Sequence, residues 1–142
     1  MARKLVTKLS NRTCYTLYEK DTLKTASLKL KKYNVGVMPV LSEKKKDLVG
    51  IISERDLARH IQEDDFKSDL LVHMIMSKDI VTCNLNTSVT ELMEIITSHK
   101  IRHIPIMEQK KLLGIVSIGD VVSHIIEQYK DENQQLRDFI NQ

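Results

Sequence analysis

Leu48-Val49-Gly50-Ile51-Ile52-Ser53-Glu54-Arg55-Asp56 and Leu112-Leu113-Gly114-Ile115-Val116-Ser117-Ile118-Gly119-Asp120 are one phrase written twice, 64 residues apart. Leu, Gly, Ile, Ser and Asp recur identically, and the match runs on to His60-Ile61 against His124-Ile125. Upstream the spacing becomes 66: Pro39 answers Pro105, Val35 answers Ile101, Thr22 answers Ser88, Thr16 answers Thr82, and Leu5-Val6 answers Leu71-Val72. Two extra residues in the charged loop at 42–47 account for the change. A collinear match over this span marks a duplication, and a duplication decides the fold before any single element is read.

Each copy reads as β-α-β-β-α. A short extended stretch (14–17; 80–83) precedes a helix (22–33; 88–99), and Thr22 and Ser88 have N-cap chemistry. Glu91 stands three residues after Ser88, a capping-box spacing. A strand then ends at Pro39-Val40-Leu41 or Pro105-Ile106-Met107, followed by a charged turn. The next strand is apolar throughout (48–52; 112–116), which predicts burial on both faces. Ser53 or Ser117 opens the second helix. A unit of about 60 residues buries its own sheet poorly, so the fold expected is α+β: two repeats packed sheet to sheet with pseudo-two-fold symmetry. The boundaries read as 5–62 for the first repeat, 71–126 for the second and 127–142 for a C-terminal helical extension.

Composition narrows the function classes. A hydrophobic fraction of 42% supports a real core, and 29% charged residues support solubility. No apolar run approaches the roughly 20 residues of a membrane span, and no apolar core follows Met1-Ala2-Arg3-Lys4 as a secretory signal requires. Cys14 and Cys83 make no CxxC and no disulfide framework, which points to a reducing cytoplasm. With 22 basic and 19 acidic residues, the net charge of +3 does not call for nucleic acid. No Trp and few aromatics leave a base-stacking platform unsupported. The five histidines show no HExxH spacing, so no metal is expected, and no nucleophile–base set suggests an enzyme.

The arrangement resembles the tandem cystathionine-β-synthase (CBS) domain pair, the Bateman module. The resemblance is carried by Val37-Met38-Pro39-Val40 and His103-Ile104-Pro105-Ile106, and by Gly-h-h-Ser-x-x-Asp at Gly50 to Asp56 and Gly114 to Asp120. Val72-His73-Met74-Ile75-Met76 resembles the lead-in to a second motif, and the likeness is to stand-alone modules with a charged helical tail. It implies a cleft between the repeats, frequent homodimers, no catalytic domain, and an adenosine-containing ligand such as AMP, ADP, ATP, NAD(H) or S-adenosylmethionine. A regulatory, energy-sensing role follows from it, with a regulated protein partner that the chain does not identify.

Within that frame, Asp56 and Asp120 are candidates for the ribose hydroxyls, since a carboxylate accepts from both members of a vicinal diol. Ser53 and Ser117, at helix N-termini, are candidates for phosphate or ribose. Helix capping alone explains the same Ser-x-x-Asp pattern equally well. Arg102 and His103 are candidate phosphate contacts, the first through its planar fork and the second with a pH-sensitive charge. The first-copy equivalents, Gly36 and Val37, carry no charge. Arg55 either reaches phosphate or pairs with Glu54 or Asp56. Val37, Ile52, Val116, Thr22 and Ser88 are candidates for the base-binding walls, with plain core as the competing reading for the apolar ones. The tail from Val121 reads as a helix whose last apolar residues, Leu136, Phe139 and Ile140, contact a second subunit or fold back on the first helix. The alternative function is a dimerisation or interaction scaffold with empty or vestigial nucleotide sites.

Overall fold

The computed structural model describes residues 2–63 and 67–141, with side chains from Leu5 onward. In chain order the elements are α1 (Ala2–Ser10), β1 (Leu17–Tyr18), α2 (Leu23–Tyr33), β2 (Val37–Leu41), β3 (Leu48–Ser53), α3 (Glu54–Ile61), a 3₁₀ turn (Val72–Met74), α4 (Val89–His99), β4 (His103–Glu108), β5 (Lys111–Ser117) and α5 (Ile118–Ile140). The fold is α+β with two small sheets, as the duplication requires. The two hairpins share one register. Pro39 faces Ile51 and Val40 faces Gly50 in β2/β3; Pro105 faces Ile115 and Ile106 faces Gly114 in β4/β5. Both hairpins have a register shift just after these pairs, so even the irregularity is duplicated. β1 adds to β2 in parallel, starting at the last residue of the predicted stretch. In the second copy the same place is held by one bridge, Cys83 to Ile106.

The helices begin where hydroxyl caps predict. Thr22 Oγ1 accepts from the Thr25 N–H at 3.1 Å, and Ser88 Oγ accepts from the Glu91 N–H at 3.0 Å. Both first helices of the repeats end in a left-handed residue, Asn34 and Lys100, each at φ 53°. Replacing Thr22 or Ser88 by Ala is expected to lower stability by about 1 kcal/mol each, read from urea unfolding.

Two apolar clusters form, one per copy, and each is completed by the segment that leads into the other. Leu17, Leu23, Ala26, Leu30, Met38, Val40 and Ile52 of the first copy enclose Val72, with Ile75 and Met76 packed alongside. Leu92, Ile96, Ile104, Ile106, Val116 and Val121 of the second enclose Leu5, Val6 and Leu9 of α1. Val6 and Val72 are thus equivalent in packing as well as in sequence, by an exchange of lead-ins.

The exchange explains the glycine of the repeated phrase. A Cβ on Gly50 would collide with the Met76 side chain, and one on Gly114 would lie 3.1 Å from the Leu9 carbonyl oxygen. Gly50→Ala and Gly114→Ala are each expected to destabilise by about 1–3 kcal/mol, as overpacking does. Gly114→Ala is the harder to absorb, because its obstacle is backbone.

The apolar strands are not buried on both faces as their composition predicts. In β3, Gly50 and Ile52 are buried while Ile51 is half-buried; in β5, Gly114 and Val116 are buried while Ile115 is half-buried. One face covers its own core; on the other, Ile115 of β5 shares a space with Val35, Val37 and Pro39 of the first repeat. α5 continues past its own module as a 23-residue helix, about 35 Å long. Gln142 lies outside the described residues. Leu136, Phe139 and Ile140 are exposed, so the fold-back onto the first helix is not formed. Among the described residues no helix is long and apolar enough to cross a membrane.

Candidate functional site

Ser53 and Ser117 end β3 and β5 in extended conformation and start α3 and α5 with complete capping boxes. In the second copy the Asp120 N–H donates to Ser117 Oγ at 3.0 Å and the Ser117 N–H donates to Asp120 Oδ2 at 2.8 Å. In the first, the Asp56 N–H donates to Ser53 Oγ at 3.2 Å, and the Ser53 N–H and hydroxyl donate to Asp56 Oδ2 at 2.8 and 3.0 Å. The capping reading of Ser-x-x-Asp is therefore realised in both copies. It fixes each carboxylate at a helix N-terminus, where exposed N–H groups and the helix dipole favour an anion.

A cleft of about 380 Å³ opens between the repeats, lined by Arg12, Thr13, Cys14 and Tyr15 of the lead segment, Val35, Val37 and Pro39 of the first repeat, and Ile115 of the second. That volume lies within the ~300–1,000 Å³ typical of small-molecule sites. Tyr15 is held in the wall by a parallel stack on Tyr33, with ring centroids 3.8 Å apart. Arg12 connects the wall to the helix start. Its Nη1 and Nη2 donate to Asp120 Oδ1 and Oδ2 at 3.0 and 2.8 Å, and Nη2 also donates to the Ile115 carbonyl at 2.9 Å.

Charge gathers at α5. His103 faces Ser117 across the hairpin, and the Ile118 N–H donates to the Arg102 carbonyl at 2.8 Å, so both predicted basic residues flank Asp120. At α3 the matching backbone bond runs from the Glu54 N–H to Gly36, and Val37 faces Ser53. Arg55 is exposed at that site.

Burial pushes the Asp120 carboxyl up, but the Arg12 hydrogen bond and the Ser117 N–H and hydroxyl outweigh it, and the net shift is below the ordinary 3.8. The stability this contributes is present above 3.8 and is lost as acid protonates the carboxylate. The Asp120 hydrogen bond is also the main reason the Arg12 guanidinium holds its proton more tightly. His103 moves the other way. Burial lowers it from 6.5 against the pull of Asp120, and Arg102 lowers it further. Its charge change therefore lies below the ordinary 6.5. An NMR titration of the His103 ring should show a midpoint below 6.5, with the folded state losing stability as pH falls through that range, because the unfolded chain binds the proton more readily.

The other predicted wall residues divide. Val37 lines the cleft. Ile52 and Val116 are fully buried in the two cores, because the side chains of β3 and β5 alternate and it is Ile115 that faces the cleft. Thr22 and Ser88 cap their helices and do not line it. Sequence reasoning missed Arg12 and Tyr15. Arg12 had one signal, the basic Lys78 at the matching place 66 residues on; Tyr15 had none, since its counterpart is Val81. The two cysteines are free, and burial raises the Cys83 thiol to about 11, which keeps it protonated and inert. Among the described residues no three of His, Cys, Asp and Glu are grouped to hold a metal.

Comparison with known proteins places this geometry. The mitochondrial CBS domain-containing protein CBSX3 of Arabidopsis thaliana is 34% identical over 124 residues, covering 84% of this chain and 60% of that protein. The crystal structure of a CBS-domain-containing protein from Agrobacterium tumefaciens superposes with a TM-score of 0.77 at 31% identity, over 86% of this chain and 96% of that one. The CBS domain pair of protein MJ0100 shares the fold at a TM-score of 0.77 and 20% identity, over 87% of this chain and 96% of that one. The CBS domain model itself matches twice, at residues 6–63 and 69–127. The chain belongs to the CBS domain family and carries two CBS domains in tandem.

Proposed function

We propose that the chain is a non-catalytic regulatory module that binds an adenosine-containing nucleotide, of the AMP, ADP, ATP or NAD(H) class, in the cleft between its repeats. The observation that carries this reading is a carboxylate fixed at a helix start, Asp120, joined through Arg12 to a cleft walled by both repeats and flanked by Arg102 and His103. Asp120 takes the ribose hydroxyls. Ser117, the α5 N-terminus, Arg102 and His103 take phosphate. Val37, Tyr15 and Ile115 supply the wall for the base. Asp56, Ser53 and Arg55 form the weaker second site, because Gly36 and Val37 stand where Arg102 and His103 stand in the other copy. The MJ0100 pair, solved in complex with 5′-methylthioadenosine and S-adenosyl-L-methionine, supports the ligand class. Free thiols fit a reducing, cytoplasmic setting.

The test is thermal unfolding with each nucleotide at about 1 mM. A ligand at roughly 100 times its Kd stabilises by about 2.7 kcal/mol, raising the midpoint by several degrees. No shift with any of them sinks the reading.

Signalling requires a second body to read the ligand, and the exposed stripe Ile118, Val122, Ile126, Tyr129 on α5, extended by Leu136, Phe139 and Ile140, supports a homodimer. Leu136→Glu with Phe139→Glu should convert a dimer to a monomer in sedimentation analysis; a monomeric parent, or an unchanged dimer, removes α5 from the interface. The same stripe favours the scaffold reading if no nucleotide binds.

A further inference from the structure

We propose that Arg12 is a latch on the ribose carboxylate, exchanged on binding, and that it makes the inter-repeat cleft select a 5′-phosphorylated nucleoside over the bare nucleoside. The inference rests on the nucleotide reading above and names the substrate class within it. Both oxygens of Asp120 are engaged: Oδ1 by Arg12 Nη1, and Oδ2 by Arg12 Nη2 and the Ser117 N–H. Oδ2 already accepts two hydrogen bonds, so a vicinal diol that uses both oxygens displaces at least the Nη2 arm of the arginine fork. Asp56 shows the contrast, since its contacts are the Ser53 N–H and hydroxyl, both on Oδ2, and among the described residues no lysine or arginine is paired with it. A bare nucleoside that displaces Arg12 leaves a guanidinium without its carboxylate at the cleft wall. A phosphorylated one offers that guanidinium a new anion matched to its fork.

The latch is built to exchange. The Arg12 side chain is 46% exposed, so water can receive the fork when it leaves Asp120 and the Ile115 carbonyl. Arg12 also has a fixed hinge. Its N–H donates to the Leu9 carbonyl at the end of α1, and the next three residues line the cleft. The head group can therefore swing between Asp120 and the cleft while its backbone stays tied to the second repeat's core.

Calorimetric titration of the full chain with adenosine and with AMP tests this, using the parent, Arg12→Met and Arg12→Lys. The parent should prefer AMP by tenfold or more. Arg12→Met should bind adenosine several-fold more tightly and AMP about tenfold more weakly, so the preference narrows to what Arg102, His103 and the α5 N-terminus supply. Arg12→Lys, which keeps charge without the fork, should fall between them and serves alone if the Met variant does not fold. Equal affinity of the parent for both ligands overturns the latch, as does a parallel loss of both in Arg12→Met, the outcome of a purely structural role. If neither ligand binds any variant, the nucleotide reading itself fails, and the latch with it.

Discussion

Leu9→Ala is expected to lower stability by about 2–5 kcal/mol, and the damage should fall on the second repeat although Leu9 lies within the first in sequence. Leu9 is buried with Leu92, Ile104 and Val116 in one cluster, and α1 packs on β5 and α4. The void left by three carbons has little room to collapse, because the Leu9 backbone already lies against Gly114. The thermal midpoint should drop by roughly 5–15 °C. Hydrogen exchange should show lost protection in α4, β4 and β5 before α2, β2 and β3, since local openings follow the packing. Val72→Ala, in the lead-in that completes the other core, should reverse that order. Loss of the first repeat first in Leu9→Ala contradicts the exchange of lead-ins.

Asp120→Ala is expected to weaken nucleotide binding by about 10- to 150-fold, the equivalent of the ~1.5–3 kcal/mol that a hydrogen bond to a charged group is worth. The variant also loses the carboxylate half of its capping box, which is worth about 1 kcal/mol of folding stability and leaves the chain folded. Asp120→Asn separates the two effects by keeping an acceptor for the Ser117 N–H. Asp56→Ala should weaken binding less, because its site lacks counterparts of Arg102 and His103. Equal loss in both variants, or none in either, removes the ribose assignment.

The repeated phrase made much of this legible. Duplication doubled every local signal, so helix starts at Thr22, Ser53, Ser88 and Ser117 followed from hydroxyl caps, and the hairpins followed from Pro39 and Pro105. What was not legible depends on contacts between distant segments. Leu5-Val6 matched Leu71-Val72 in sequence, but equivalence does not say that each serves the other copy's core. Continuous apolar strands hid which face looks outward, so Ile52 and Val116 stood open between wall and core, and the alternation that buries them and turns Ile115 to the cleft was not legible. Arg12 stands in a polar run, Ser10-Asn11-Arg12-Thr13, that reads as a solvated connector until folding brings Asp120 to it from 108 residues away.

A single measurement bears most directly on nucleotide binding in the inter-repeat cleft: an ¹⁵N–¹H NMR titration of the full chain with AMP. The expected result is saturable shifts concentrated at residues 12–15, 35–37, 102–103 and 117–121, with weaker changes at 53–56. Saturable shifts confined to the α5 tail, or no shifts at millimolar AMP, ADP, ATP or NAD(H), would contradict it.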